Sequence, residues 1–138
     1  MDWRFTDDRP IWLQLTEQLT RRIITGVYPP GSRLPPVREL AAQAGVNPNT
    51  MQKALAELER DGLLKSQRTS GRFVTDDKEK IMEVRTTLAY DEIARMVDTI
   101  SSLGYHREDI PQLLERFLSS QQSAPLSEQK AGEFPGKF

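Results

Sequence analysis

Between Arg33 and Arg72 the chain carries guanidinium groups at positions 33, 38, 60, 68 and 72, of which 33, 38, 68 and 72 are candidate contacts, with Asn47, Asn49, Thr50, Gln52 and Lys53 between them. Arginine offers a rigid fork of donors that suits guanine or phosphate, and side-chain amides suit adenine. Lysine meets phosphate as a point charge, and threonine either bonds phosphate or touches a thymine methyl. Asn49 and Gln52 are therefore candidate adenine readers, Thr50 and Lys53 candidate phosphate or thymine contacts. The competing structural readings are that Asn49 and Thr50 satisfy free helix N–H groups, and that Gln52 and Lys53 are solvated. Arg68 and Arg72 flank Gly71 in a candidate hairpin tip, where they suit a narrow minor groove or its phosphates. Arg33 is a further phosphate candidate.

Catalytic chemistry has little to work with. The single histidine, His106, has no cysteine near it, because the chain has none. No glycine-rich phosphate loop or nucleophile motif appears, and the pairs Asp7-Asp8, Asp76-Asp77 and Glu108-Asp109 read as helix starts and solvated faces. No enzyme activity, cofactor or metal is expected. The absence of cysteine rules out disulfides and fits the cytoplasm. No run approaches the roughly 20 apolar residues of a membrane helix, and the acidic opening MDWRFTDDRP lacks the apolar stretch of a secretory signal. The net charge of −1 divides unevenly: residues 1–75 carry a balance of +3 and residues 76–138 a balance of −4. A basic half that meets phosphates joined to an acidic half that does not fits this pattern.

The positioning elements follow from periodicity. Pro10 to Thr25 reads as a helix, with Trp12, Leu15, Leu19 and Ile23 on one stripe and Gly26 ending it. Tyr28-Pro29-Pro30-Gly31 reverses the chain. A short helix spans Pro36 to Ala44, and Gly45 closes it in a left-handed conformation. Asn47-Pro48 opens the next helix as cap and first-turn proline. That helix runs to Arg60, with Met51, Ala54, Leu55 and Leu58 inward and Asn49, Gln52, Lys53, Ala56 and Arg60 outward. Strands at Leu63–Gln67 and Arg72–Val74 surround the tip Arg68-Thr69-Ser70-Gly71. The fold class is mainly α with a small β wing: a winged helix-turn-helix domain over 1–75, then a two-helix dimerisation segment over 76–120. Residues 121–138 are polar, rich in helix breakers, and expected to be disordered.

The stretch PIWLQLTEQLTRRIITGVYPPGSRLPPVRELAAQAGVNPNTMQKALAELERDGLLKSQRTSGRFV closely resembles the DNA-binding domain of the GntR family of bacterial transcription regulators, across about residues 8–75. NPNT, with about 60 residues after the wing, is most similar to the short YtrA-type branch. The resemblance implies a homodimeric repressor on a palindromic double-stranded operator, often beside transporter genes. It also implies that Arg38 reaches DNA from the second helix, on guanine or phosphate, and that the C-terminal helices pair protomers. Their apolar residues Ile81, Val84, Leu88, Ile93, Val97, Ile100, Leu103, Leu114 and Phe117 are the expected pairing surface. The chain departs from the family at four positions. Pro36 stands for a serine, Pro48 and Gln52 stand where many relatives have arginine, and Thr69 replaces the first wing glycine. A small-molecule effector would need the dimer interface or the domain junction, because two helices do not enclose a pocket. The alternative function is a winged helix that binds only protein partners.

Overall fold

In the computed structural model, which describes residues 2–121, the first helix is α1 (Ile11–Ile24). Pro10 precedes it, with a dihedral already fixed near the helical value. Leu15, Leu19 and Ile23 are completely or almost completely buried, as their stripe requires. Trp12, expected on the same stripe, is only half-buried. Two further helices, α2 (Val37–Ala44) and α3 (Pro48–Arg60), enclose the core with it. Gly45 closes α2 at φ 71°, a left-handed turn that lets α3 cross immediately afterwards. Leu40, Ala41 and Ala44 of α2 meet Met51, Ala54, Leu55 and Leu58 of α3 in one cluster.

Strands β1 (Leu64–Gln67) and β2 (Gly71–Val74) form the antiparallel wing, in register Leu64 to Val74 and Gln67 to Gly71. Leu63, Leu64 and Val74 plug its base into the core. Residues 32–34 extend the wing on its other edge. Leu34 N–H donates to Arg72 O at 2.9 Å, and Val74 N–H donates to Ser32 O at 2.8 Å. This pairing satisfies backbone groups that a bare two-stranded wing leaves open.

Helix α4 (Lys78–Ser102) follows. Thr75 is buried and its hydroxyl accepts from Asp77 N–H, while Asp77 accepts from Lys80 N–H, so the two side chains together organise the helix start. The first turns of α4 belong to the N-terminal core. Ile81 is 5% exposed within it and Val84 packs against it. These two residues, read from sequence as pairing surface, serve the N-terminal core, Ile81 within its cluster and half-buried Val84 against it. The chain divides into two compact units, one reaching Leu88 and the other beginning at Ala89.

The second unit holds the remainder of α4, a 3-10 turn at Arg107–Asp109 and α5 (Ile110–Ser120). Helix α5 starts three residues later than periodicity predicts, because the 3-10 turn occupies its expected first turn. His106 N–H donates to the Asp109 carboxylate across that turn, so the histidine stands at a helix start. Ile110 is buried, whereas Ile93, Leu103, Leu114 and Leu118 are exposed. The expected disordered tail lies, from residue 122, outside the described residues.

An N-terminal arm lies on α1. Buried Gln14 donates from Nε2 to Thr6 O and Arg9 O, both at 2.8 Å, and accepts from Thr6 N–H at 2.8 Å. One turn on, Gln18 makes the same pair of bonds with the backbone of Arg4. Trp3 then lies over the buried Arg22 guanidinium, 3.5 Å from ring centroid to Cζ. Two glutamines at i and i+4 thus act as a strand edge for the arm.

Candidate nucleic-acid interface

The outward face of α3 begins with a built cap. Asn47 Oδ1 accepts the Asn49 N–H at 2.7 Å, and Pro48 occupies the first turn. Asn47 is a candidate DNA contact by sequence, but its oxygen is committed to the helix end. The cap satisfies the Asn49 N–H without drawing on the Asn49 or Thr50 side chains. Asn49 is exposed and Thr50 half-buried at the helix N-terminus, where the positive dipole end favours phosphate.

Lys53 does not extend freely from α3. Its Nζ lies 4.2 Å from the centroid of the Trp12 ring, a cation–π contact that joins α3 to α1. Trp12 thus has a partner on α3 at the surface, in place of the buried stripe.

Four candidates line one shallow cleft of about 320 Å³: Arg33, Arg68, Gly71 and Arg72. Residues 34–37, Ser66 and Gln67 complete its walls, so the cleft joins the wing to the start of α2. Gly71 has φ 95°, and a Cβ there would stand 3.3 Å from Arg33 Nε. The glycine is thus required both by the left-handed turn and by the close approach of a guanidinium. Arg68 at the tip and Arg38 on α2 are exposed. Among the described residues neither has an ion-pair or hydrogen-bond partner, so both offer complete donor sets to an anion.

Arg72 behaves differently. Only 17% of its side chain is exposed, and its Nε donates to the Glu59 carboxylate. Glu59 also accepts from Ser66 Oγ at 2.6 Å. The other end of the guanidinium lies 3.4 Å from Gln52 Oε1. Burial pushes the Glu59 carboxyl up, but hydrogen bonds from Ser66 and Arg72 and the arginine's charge outweigh it and hold the group below the ordinary carboxylate range. Arg72, expected at a minor groove or its phosphates, ties the wing to α3 in this structure. Sequence periodicity hides this because Glu59 and Arg72 are 13 residues apart on different element types. The available signal is an acid near the end of α3, facing a hairpin with an arginine in its second strand.

The site is thus a polar helix face with a capped N-terminus, flanked by Arg68 on the wing and Arg38 on α2. The model of the family described as bacterial regulatory proteins, gntR family, matches residues 12–74. The HTH-type transcriptional regulator YhcF of Bacillus subtilis is 33% identical over 117 residues, covering 85% of this chain and 97% of its own. The chain belongs to the GntR family. The HTH-type transcriptional repressor YtrA of the same organism is 31% identical over 102 residues, 73% of this chain and 78% of that protein. A solved GntR family transcriptional regulator from Listeria monocytogenes superposes with a TM-score of 0.75 at 34% identity, over 81% of this chain and 98% of that one.

As a GntR protein the chain is a DNA-binding transcriptional regulator, not an enzyme, and its two strands are the wing of the family's helix-turn-helix head. Among the described residues, no helix is long and apolar enough to cross a membrane.

Proposed function

We propose that this GntR regulator is a homodimeric repressor that binds a palindromic operator. The head, residues 1–75 with the start of α4, carries the DNA contacts. The rest of α4 and α5, to residue 120, pairs the protomers. The observation that carries this reading is the exposed apolar surface of the second unit. Ile93, Leu103 and Leu118 are each at least half exposed and Leu114 is 39% exposed, a concentration that water disfavours. Half-buried Val97, Ile100 and Phe117 belong to the same unit. Pro111, Leu114 and Leu118 also line an open apolar groove on α5, able to receive a neighbouring side chain.

Pairing supplies what one head lacks. Two recognition helices about 34 Å apart read two half-sites and double the contact set. Repression is supported by the similarity to the repressor YtrA, and a transporter operon as target rests on the resemblance to its branch alone. An effector, where one acts, would bind at the protomer interface.

Selection of sites from random duplex DNA, at two salt concentrations, tests the reading together with sedimentation. One palindrome with half-sites a helical turn apart, a dimer in solution, and loss of the dimer in Leu114→Glu/Leu118→Glu are expected. Reporter expression driven through the recovered site should fall when the protein is present. A monomer at micromolar concentration, or a folded protein that enriches no sequence, would refute it.

A further inference from the structure

We infer that Glu59 and Arg72 strengthen operator binding through position and not through charge: the pair sets the wing against α3 so that Arg68, at the tip, meets DNA already in place. Arg72 and Glu59 are then positioning residues, and an acid on the DNA-binding head favours binding to a polyanion. The inference rests on the reading of α3 and the wing as one DNA-binding surface.

A two-stranded hairpin is marginal by itself and takes its orientation from what it packs on. Leu64 and Val74 pair at the base of the wing and are 2% and 1% exposed. Side chains two residues further along each strand share their face. These are Ser66 and Arg72, which also pair directly. Here the apolar core ends and Glu59, the penultimate residue of α3, takes both side chains. It accepts from Ser66 Oγ at 2.6 Å and from Arg72 Nε. One carboxylate thus holds both strands at the same rung, one rung below the Gln67–Gly71 pair that precedes the tip. Residues 32–34 brace the outer edge of β2 but make no backbone bond to β1. Without Glu59 the upper wing is free to pivot about its buried base.

Charge alone assigns the acid the opposite effect, because a carboxylate facing phosphates repels them. Paired with Arg72, it adds almost no net charge, and with 17% of its side chain exposed the arginine has little surface left for a phosphate. What remains is order. Immobilising one long side chain at an interface costs roughly 2- to 13-fold in affinity, and a tip fixed beforehand avoids that cost.

Fluorescence anisotropy on the duplex selected by the full-length protein, at several salt concentrations, tests this. Each variant is first shown to give the parent's circular dichroism at the assay temperature. Glu59→Asp keeps the charge but draws the carboxylate back by about one bond, roughly 1.5 Å. The double variant Glu59→Gln/Arg72→Met leaves the net charge unchanged. Both should weaken binding by about 2- to 13-fold, with plots of log K against log salt parallel to the parent's. In an Arg68→Ala background, Glu59→Asp should cost much less, because the cation being placed is gone. The inference is overturned if Glu59→Asp binds as tightly as the parent or more so, or if it costs as much without Arg68 as with it. It is equally overturned if the double variant flattens the salt plot by roughly 0.9 for each phosphate lost, since Arg72 would then touch DNA itself. A parent that selects no duplex would instead refute the operator reading, and this inference with it.

Discussion

Replacing Gln14 by leucine should detach the N-terminal arm at a measurable cost. The side chain is 3% exposed and makes three bonds of 2.8 Å to the arm backbone at Thr6 and Arg9. A net worth of about 0.5–1.5 kcal/mol for each of the three bonds places the loss at about 1.5–4.5 kcal/mol. Leucine has similar volume, so little of the loss comes from a cavity. The arm also carries Trp3 and Phe5 against the core, and their packing goes if the arm leaves. For a domain of this size each kcal/mol moves the melting temperature by roughly 4–8 °C, so a fall of about 6–36 °C is expected by circular dichroism. Amide exchange at Thr6 should accelerate together with this fall. The substitution Gln18→Leu, at a half-buried position that bonds only the Arg4 backbone, should cost less than half as much. A melting temperature within about 3 °C of the parent, with the Thr6 amide still protected, would refute the role given to Gln14.

Three further outcomes follow from other parts of the head. A fragment ending at 75 lacks Ile81, whose burial is worth about 1.5–3 kcal/mol; it should melt roughly 6–20 °C below a fragment ending at 88, and equal melting would remove α4 from the core. Arg38→Ala should weaken operator binding and, where the arginine meets phosphate, flatten the plot of log K against log salt by roughly 0.9 for each phosphate no longer neutralised, read by fluorescence anisotropy at several salt concentrations. Glu59 has a carboxyl held below its ordinary value of 4.5, so its contribution is present above that value and is lost as pH falls through the lower folded value. Urea midpoints should therefore fall less steeply below about pH 4.5 in Glu59→Gln than in the parent.

Much of the head is legible in the sequence because its determinants are local. Pro10, Gly45 and Asn47-Pro48 mark helix ends through backbone dihedrals and caps, and all three act where their residue types predict. The stripe on α1 and the inward face of α3 follow from a period of 3.6. What escapes such reading is non-local. Lys53 and Trp12 face each other from two helices, Arg72 turns inward to an acid 13 residues back, and residues 32–34 find an edge of β2. The arm shows only its acidity at first sight, although Gln14 and Gln18 at i and i+4 mark a polar seam on a helix. Ile81 and Val84 share an apolar stripe with the residues after them, and a stripe does not say which of two cores it serves.

The arrangement of the indoles gives this protein two optical probes of its own. Its only tryptophans are Trp3 and Trp12, and each has a cation over its ring, Arg22 on one and Lys53 on the other. A fixed charge at the ring face shifts and quenches indole emission, so each fluorophore reports whether its cation is still in place. Trp3 watches the arm and Trp12 watches the recognition helix. With the other indole changed to phenylalanine, one spectrum follows release of the arm and the other follows Lys53 as it is drawn from the ring towards a phosphate, with no label added.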